Sequence, residues 1–309
     1  MKISIVTPFY NEEEALSLYF DAVIGVLEDR DFEIVCVDDG SRDRTLEGLL
    51  AKSEADERIR VVELSRNFGK EAALSAGLSV SRGDAVIILD ADLQDPPSLI
   101  PKMIEEWEKG HDVVLAQRSH RGNDSLMKRT SAAGFYKIFN RFAEVPIPEN
   151  VGDFRLIDRK VLHVVNQFSE SNRFMKGLLS WPGFRTTTIQ FERPERAAGQ
   201  TKWNYRALIA LSIDGILAFS ELPLRLAVVL GLFSSLGAII YAIYTIIKTF
   251  VFGADVPGYP SLLVVNLTLS GLILICLGII GEYIGRIYRE AKGRPIFVIR
   301  ELYEKGRKR

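Results

Sequence analysis

Cysteine and histidine are nearly missing from this 309-residue chain, which has two of the former and three of the latter. Cys36 lies in an apolar strand-like run and Cys276 in a long apolar stretch, so there is neither a disulfide framework nor a thiolate metal site. His111, His120 and His163 have no metal-ligand spacing among them and read as structural or solvated. Net charge is also close to absent. The 39 basic and 40 acidic residues leave −1, which gives no global reason to expect a nucleic-acid partner. The opening MKISIVTPFY lacks the long apolar core and cleavage site of a secretory leader; it reads as a strand, and the N-terminal part is expected to stay in the cytosol.

From Lys2 to about Ile189, short apolar runs alternate with amphipathic helical patterns. ISIVTPF, FEIVCVDDG, IRVVEL, AVIILDADL and DVVLAQRS read as strands, with helices such as EEALSLYFDAVIGVL, KEAALSAGLSV and SLIPKMIEEWEKG between them. This alternation predicts an α/β layer fold around a largely parallel sheet. Ligands of such sheets bind beyond the carboxyl ends of the strands. The candidates for chemistry are therefore TPFYNEE, DDGS, RNFGK, DADLQD and QRSHR, each of which directly follows an apolar run.

After about Arg193 the composition changes. Leu226 to Ile247 is 22 residues without a charge, about 33 Å of helix against a bilayer core of about 30 Å. Leu262 to Ile280 adds 19 more, and the joining turn GADVPGYP carries no Lys or Arg. Two such runs in succession predict a transmembrane hairpin rather than buried soluble helices. Arg286, Arg289, Lys292, Arg294, Arg300, Lys305, Arg307, Lys308 and Arg309 follow the second run, which predicts both ends on the cytoplasmic side of the plasma (inner) membrane. Gly231, Gly237, Gly271, Gly278 and Gly281 either permit close helix contact or are incidental to lipid-facing helices. The expected organisation is a cytoplasmic catalytic domain over 1–200, an interfacial helix over 201–224, and a hairpin over 225–285 with spans of about 226–250 and 260–282. A basic cytoplasmic tail over 286–309 completes it.

The strongest motif is VIILDADLQD. Asp90 and Asp92 stand where a buried strand opens into a turn, and carboxylates two apart there can both reach one Mg²⁺ or Mn²⁺, with Gln94 completing the set. Turn and helix-cap carboxylates are the plainer alternative, and Asp95 before Pro96-Pro97 reads as a helix N-cap. Thr7-Pro8-Phe9-Tyr10-Asn11-Glu12-Glu13 and Asp38-Asp39-Gly40-Ser41 end the first two strands. Together they offer an aromatic ring, carboxyls and an amide, which suit a nucleobase and ribose. Lys70 is open between a phosphate contact and an exposed first-turn residue.

TPFYNEE, VDDGSRDRT, LSRNFGKEAAL, LDADLQDPP, QRSHR, DFRLIDR, RAAGQTKW and the paired spans together resemble the inverting GT-A glycosyltransferases, specifically the polyprenyl-phosphate sugar transferases related to dolichyl-phosphate mannose synthase and bactoprenol glucosyltransferase. The resemblance covers essentially the whole chain. It implies that Pro8, Tyr10, Asn11, Glu12, Asp39, Lys70, Asp90 and Ala91 hold the nucleotide, that Asp90, Asp92 and Gln94 surround the metal, and that Arg118 reaches phosphates. It implies a single in-line displacement with inversion, carrying glucose from UDP-glucose, or alternatively mannose, N-acetylglucosamine or an aminoarabinose, onto a polyprenyl (undecaprenyl) phosphate. A homo-oligomer is expected, tetramers occurring among apparent relatives.

Asp153 is the family's usual candidate for a base or acceptor-facing carboxylate. A phosphate nucleophile is already anionic near neutral pH, so positioning is the expected role; a structural pairing with Arg155 or Arg159 is the alternative. Arg193, Arg196 and Lys202 lie just before the interfacial helix, where cations can bind an acceptor phosphate and stabilise the departing nucleotide, unless they are merely a solvated loop.

Three other readings fit less well. An aspartyl-phosphate hydrolase expects Thr or Val where Gln94 stands. A silent nucleotide-binding scaffold needs neither the Asp pair nor Arg196 and Lys202. A processive polysaccharide synthase carries Q-x-x-R-W and more spans, whereas Arg193 is followed here by Pro194.

Overall fold

The computed structural model describes residues 1–119, 151–168, 170, 173, 175–191, 222–252, 258–305 and 307–308. Arg193, Arg196 and Lys202, and nearly all of the expected interfacial helix, lie outside the described residues.

Strands β1 (Lys2–Phe9), β2 (Asp31–Asp38), β3 (Ile59–Leu64) and β4 (Ala85–Ile88) are almost uninterrupted apolar runs. A strand of that kind must be covered on both faces, which is the condition of a parallel sheet inside helical layers. β1 accordingly pairs in parallel with both β2 and β4, and β2 with β3. The period of two divides each strand between two cores. Ile3, Ile5, Phe9, Ile34 and Cys36 pack with α1 (Leu16–Leu27) and α4 (Ile100–Glu108). Val6, Val35, Val37 and Ile88 pack on the opposite face with α3 (Lys70–Val80). Tyr19 is fully buried between the rings of Phe9 and Phe20, and its hydroxyl is hydrogen-bonded to Thr7 Oγ1 at 2.5 Å. A phenol is tolerated there because its one polar atom has a partner.

Helix α2 (Thr45–Ala55) links β2 to β3, and β5 (Val113–Arg118) follows α4. β6 (Val151–Asp158) runs antiparallel to both β4 and β5, and β7 (Thr186–Phe191) extends β5 in parallel. Between them lie α5 (Arg159–Val165) and α6 (Met175–Ser180). The sheet is therefore mixed at its margins, a departure from the largely parallel expectation. It brings β6, with Asp153, beside the end of β4, with Asp90.

The long helices α7 (Leu222–Phe252) and α8 (Tyr259–Ala291) form a second unit. Leu226–Thr245 and Val265–Ala291 are long and apolar enough to cross a membrane, and neither is buried within the protein. Leu232, Phe233 and Leu274 are each 68% exposed, a continuous apolar surface that water does not tolerate on this scale. A Cβ added at Gly231, Gly237, Gly271, Gly278 or Gly281 would meet nothing within 4 Å, so none of these glycines serves a close contact within the chain.

The reading of 286–309 as a basic tail is corrected by the structure. α8 continues to Ala291, and β8 (Ile299–Glu304) then pairs antiparallel with β3, followed by the short β9 (Arg307–Lys308). The basic residues had masked a strand whose charges are neutralised by partners. Arg300 meets Glu63 at 3.1 Å, Glu304 meets Arg60 at 3.0 Å, and the Tyr303 hydroxyl donates to Glu63 at 2.9 Å. The nine strands run in the order β7-β5-β6-β4-β1-β2-β3-β8-β9.

Candidate active site

Three loops at the carboxyl ends of β1, β2 and β3 are stitched together by backbone and short polar groups. Asn11, at φ +53°, donates its N–H to Ser41 Oγ (3.1 Å) and accepts the Arg42 N–H on Oδ1 (2.8 Å). Asparagine tolerates the left-handed region better than other side chains, which explains its place here. Its amide oxygen thus braces the β2 loop. Glu12 N–H donates to Thr45 Oγ1 at 2.8 Å and Asp39 N–H to the Phe9 carbonyl at 2.9 Å. Gly40, at φ +70°, could not carry a Cβ, which would lie 2.6 Å from Asn67 N. Asp39 then ties in the third loop, accepting the Phe68 and Gly69 N–H groups at 2.7 and 2.9 Å. Burial raises its carboxyl above the usual range against the pull of those two donors.

Beyond β4, the chain turns through Asp90-Ala91-Asp92-Leu93. Leu93 adopts φ +52°, a strained conformation for a leucine and one found mainly where function demands it. Asp92 Oδ1 accepts the Gln94 N–H at 3.1 Å, closing the turn. Gln94 and Asp95 are buried, at 5% and 4% exposure. Asp95 is not the expected cap: Pro96 precedes the short 3₁₀ turn and Leu99 precedes α4, while the Asp95 carboxylate faces Arg118 at 3.7 Å.

These loops surround a cleft of about 400 Å³, within the ordinary range of small-molecule sites. Pro8, Tyr10, Glu12, Asp39, Lys70, Asp90, Ala91 and Asp92, all expected site residues, line it, together with Phe9, Asn67 and Gly69, which are not among the expected ones. Asn11, Gln94 and Arg118 are not among the lining residues. Tyr10 is exposed, at 39%, with its ring available for stacking.

An ion cluster joins the cleft to β6. Lys70 Nζ lies 2.7 Å from Asp90 and 2.6 Å from Asp153 Oδ2. Asp153 therefore pairs with Lys70. Arg155 donates to the Gly152 carbonyl and Arg159 to the Gly83 and Ser81 carbonyls instead. Burial by itself would raise the Asp153 carboxyl, but Lys70 and then Lys176 overcome it and hold the group at about 2. Lys70 is lifted above the ordinary lysine range because Asp90 and Asp153 outweigh its own burial. Asp90 moves upward, burial dominating over the ammonium and Asp153 adding to it.

Glu71, next along α3, carries a displaced carboxyl that the sequence did not reveal. Its Oε2 accepts the Met175 N–H at 3.2 Å. Burial, assisted by the charge of Asp153, pushes it up to about 7.

Among the described residues, no group of three or more His, Cys, Asp and Glu converges on one point. Asp90 and Asp92 nonetheless both line the cleft, and Asp153 Oδ1 is buried without a hydrogen-bond donor. Such carboxylates fit Mg²⁺ or Mn²⁺, which are commonly held by one or two carboxylates and completed by substrate phosphates.

A parallel-centred sheet with a nucleotide-sized cleft and an acidic pair at its carboxyl edge defines the class: an α/β enzyme of the GT-A type. Mannosyl-3-phosphoglycerate synthase from Rubrobacter xylanophilus has the same fold, with a TM-score of 0.50 at 19% identity over 70% of this chain and 72% of that one. Residues 4–165 match the family described as glycosyl transferase family 2, and residues 222–287 match the GtrB C-terminal hairpin. The chain belongs to glycosyl transferase family 2; it is a glycosyltransferase and a membrane protein. It is 48% identical over 305 residues to a glycosyltransferase of Synechocystis sp., covering 98% of this chain and 96% of that one. It is 46% identical over 305 residues to the SfII prophage-derived bactoprenol glucosyl transferase of Shigella flexneri, covering 98% and 99%.

Proposed function

We propose that this enzyme transfers glucose from UDP-glucose to a polyprenyl phosphate of the undecaprenyl type, with inversion and with Mg²⁺ or Mn²⁺. The observation that carries the reading is the cleft itself, lined by Tyr10, Asp39, Asp90 and Asp92, with Lys70 on its wall bridging Asp90 to Asp153. The bactoprenol acceptor and the glucosyl group come from the likeness to the Shigella flexneri protein. A catalytic domain continuous with an apolar hairpin supports a lipid acceptor, since substrate and enzyme then share one surface.

In this reading Pro8, Tyr10, Glu12, Asp39 and Ala91 hold the nucleotide, Tyr10 by stacking. Asp90 and Asp92 would hold the divalent cation, with the Gln94 N–H closing the turn that follows on Asp92. Held by these carboxylates, such a cation would supply charge neutralisation for the departing diphosphate. Asp153, held near 2, is too weak a base to take a proton at neutral pH, and orients the acceptor phosphate, whose oxygen is already anionic. Arg118, Arg193, Arg196 and Lys202 contact phosphates of donor or acceptor, Arg196 and Lys202 assisting departure of the nucleotide. Both termini face the cytoplasm at the plasma (inner) membrane, and the protein assembles as a homo-oligomer.

The test is to incubate membranes containing the protein with undecaprenyl phosphate and a panel of radiolabelled nucleotide sugars. Glucose should enter the organic phase from UDP-glucose, lose its donor configuration, and fail to transfer when a chelator is present. Transfer of another sugar overturns the donor assignment; retained configuration or full activity with chelator overturns the mechanism.

A further inference from the structure

Lys70 is placed with more care than a phosphate contact requires. It is the first residue of α3, held by Gly69 at φ +96°, whose N–H is fixed on Asp39. Its ammonium spans two carboxylates that come from different strands, the end of β4 and the start of β6. One of the two is Asp90, the residue that the proposed function assigns to the divalent cation.

We propose that Lys70 is a resident counter-cation that competes with the divalent ion for Asp90. The inference rests on the reading of Asp90 and Asp92 as cation ligands. An ammonium 2.7 Å from Asp90 stands where a cation on that carboxylate would be repelled by it, so the two cannot share the group at full strength. Lys70 has a flexible four-carbon stem and a second partner in Asp153, so it yields Asp90 without losing its counter-ion. Until that happens, the ammonium keeps Asp90 and Asp153 from standing unpaired beside Asp92. The chain thus carries a weak internal competitor that holds the acidic site together before loading and sets a threshold for it.

The test measures Mn²⁺ affinity in the absence of nucleotide, on the full chain in detergent, by electron paramagnetic resonance of free Mn²⁺. Wild type should bind Mn²⁺ and Asp92→Asn should lose most of that binding. Lys70→Met should bind about tenfold more tightly than wild type, about 1.4 kcal/mol. Lys70→Arg, which keeps the charge, should stay within about threefold of wild type. Lys70→Gln provides a second neutral variant, and melting temperatures establish which variants are folded. If wild type binds Mn²⁺ but folded neutral variants bind equally or more weakly, the competition is refuted while the cation reading stands. If wild type does not bind, or Asp92→Asn binds as well, both fail.

Discussion

Replacing Glu71 by Gln tests whether the acidic cluster is as tightly balanced as its geometry implies. The carboxyl is raised from an ordinary value of about 4.3 to about 7, chiefly by burial and next by the charge of Asp153. Between those values the folded protein keeps a proton that the unfolded chain has lost. Stability must therefore fall as pH rises across that window, because the native state binds more protons than the unfolded one. At about 1.36 kcal/mol per pH unit the full displacement is worth about 4 kcal/mol; water reaching a half-buried side chain reduces this to about 1–2 kcal/mol. Glutamine keeps the volume and accepts the Met175 N–H through its amide oxygen, so the variant removes the titration and spares the contact. The assay is thermal unfolding of both proteins in detergent at intervals from pH 4.5 to 8. The variant should match wild type at the acid end and exceed it by roughly 2–8 °C at pH 8, given about 2–4 °C per kcal/mol for a chain of this size. Asp153 does not confuse the readout: its lowered value of about 2 contributes stability that is lost only as pH falls below the usual carboxylate range. A pH-independent difference, or a wild type that gains on the variant with rising pH, would refute the reasoning.

Three further outcomes follow from the same contacts. Glu33→Ala should destabilise the catalytic domain by about 3–5 kcal/mol in denaturant unfolding, since it strips Ser4 Oγ (2.6 Å), the Arg82 N–H (2.5 Å) and buried Arg60 (3.2 Å) of their shared partner. Asp153→Asn should lower kcat by about tenfold to a hundredfold while leaving measurable transfer and near-normal UDP affinity; complete loss with intact UDP binding would make it an obligatory base. Gly40→Ala should weaken UDP binding several-fold and lower the melting temperature, because its Cβ would collide with Asn67 N and so displace the 66–70 loop. Unchanged UDP affinity in that variant would count against the proposed nucleotide loops.

Most of the cleft was legible because strand-end chemistry depends on local pattern. Asp39, Asp90 and Asp92 each follow an apolar run, and that alone places them on the ligand edge. What the sequence left open was which way each side chain turns. Asn11 and Gln94 share the motifs, yet Asn11 braces a neighbouring loop and Gln94 is buried, distinctions set by hydrogen bonds 30 or so positions away or by local turn strain. Nothing local to the sequence marks Glu71; its carboxylate is engaged by the N–H of Met175 at the start of α6, about 100 positions away. The sequence leaves Lys70 open between two roles, and the antiparallel run of β6, unreadable from periodicity, is what supplies its second carboxylate.

The C-terminal strand shows the same limit in its strongest form. IRELYE alternates weakly and is rich in charge, so charge counting alone assigns it to a tail. Its charges are explained only by β3, about 240 positions earlier, where Arg60 is 4% exposed and Glu63 8%. A cation that deep needs partners, and Glu33 and Glu304 supply them from either side. Closing a flexible loop of such length would cost about 5 kcal/mol. The described part of the intervening chain is taken up by the sheet and the two long helices, so the closure is shorter than the sequence distance suggests. β3 must therefore present an open, charged edge until the residues after both apolar helices are made. Arg60 and Glu63 on that edge are unfavourable to pairing with another chain, which is how an unprotected strand avoids aggregation while it waits. The ionic character that hid the strand from sequence reading is thus the property that lets the sheet be completed last.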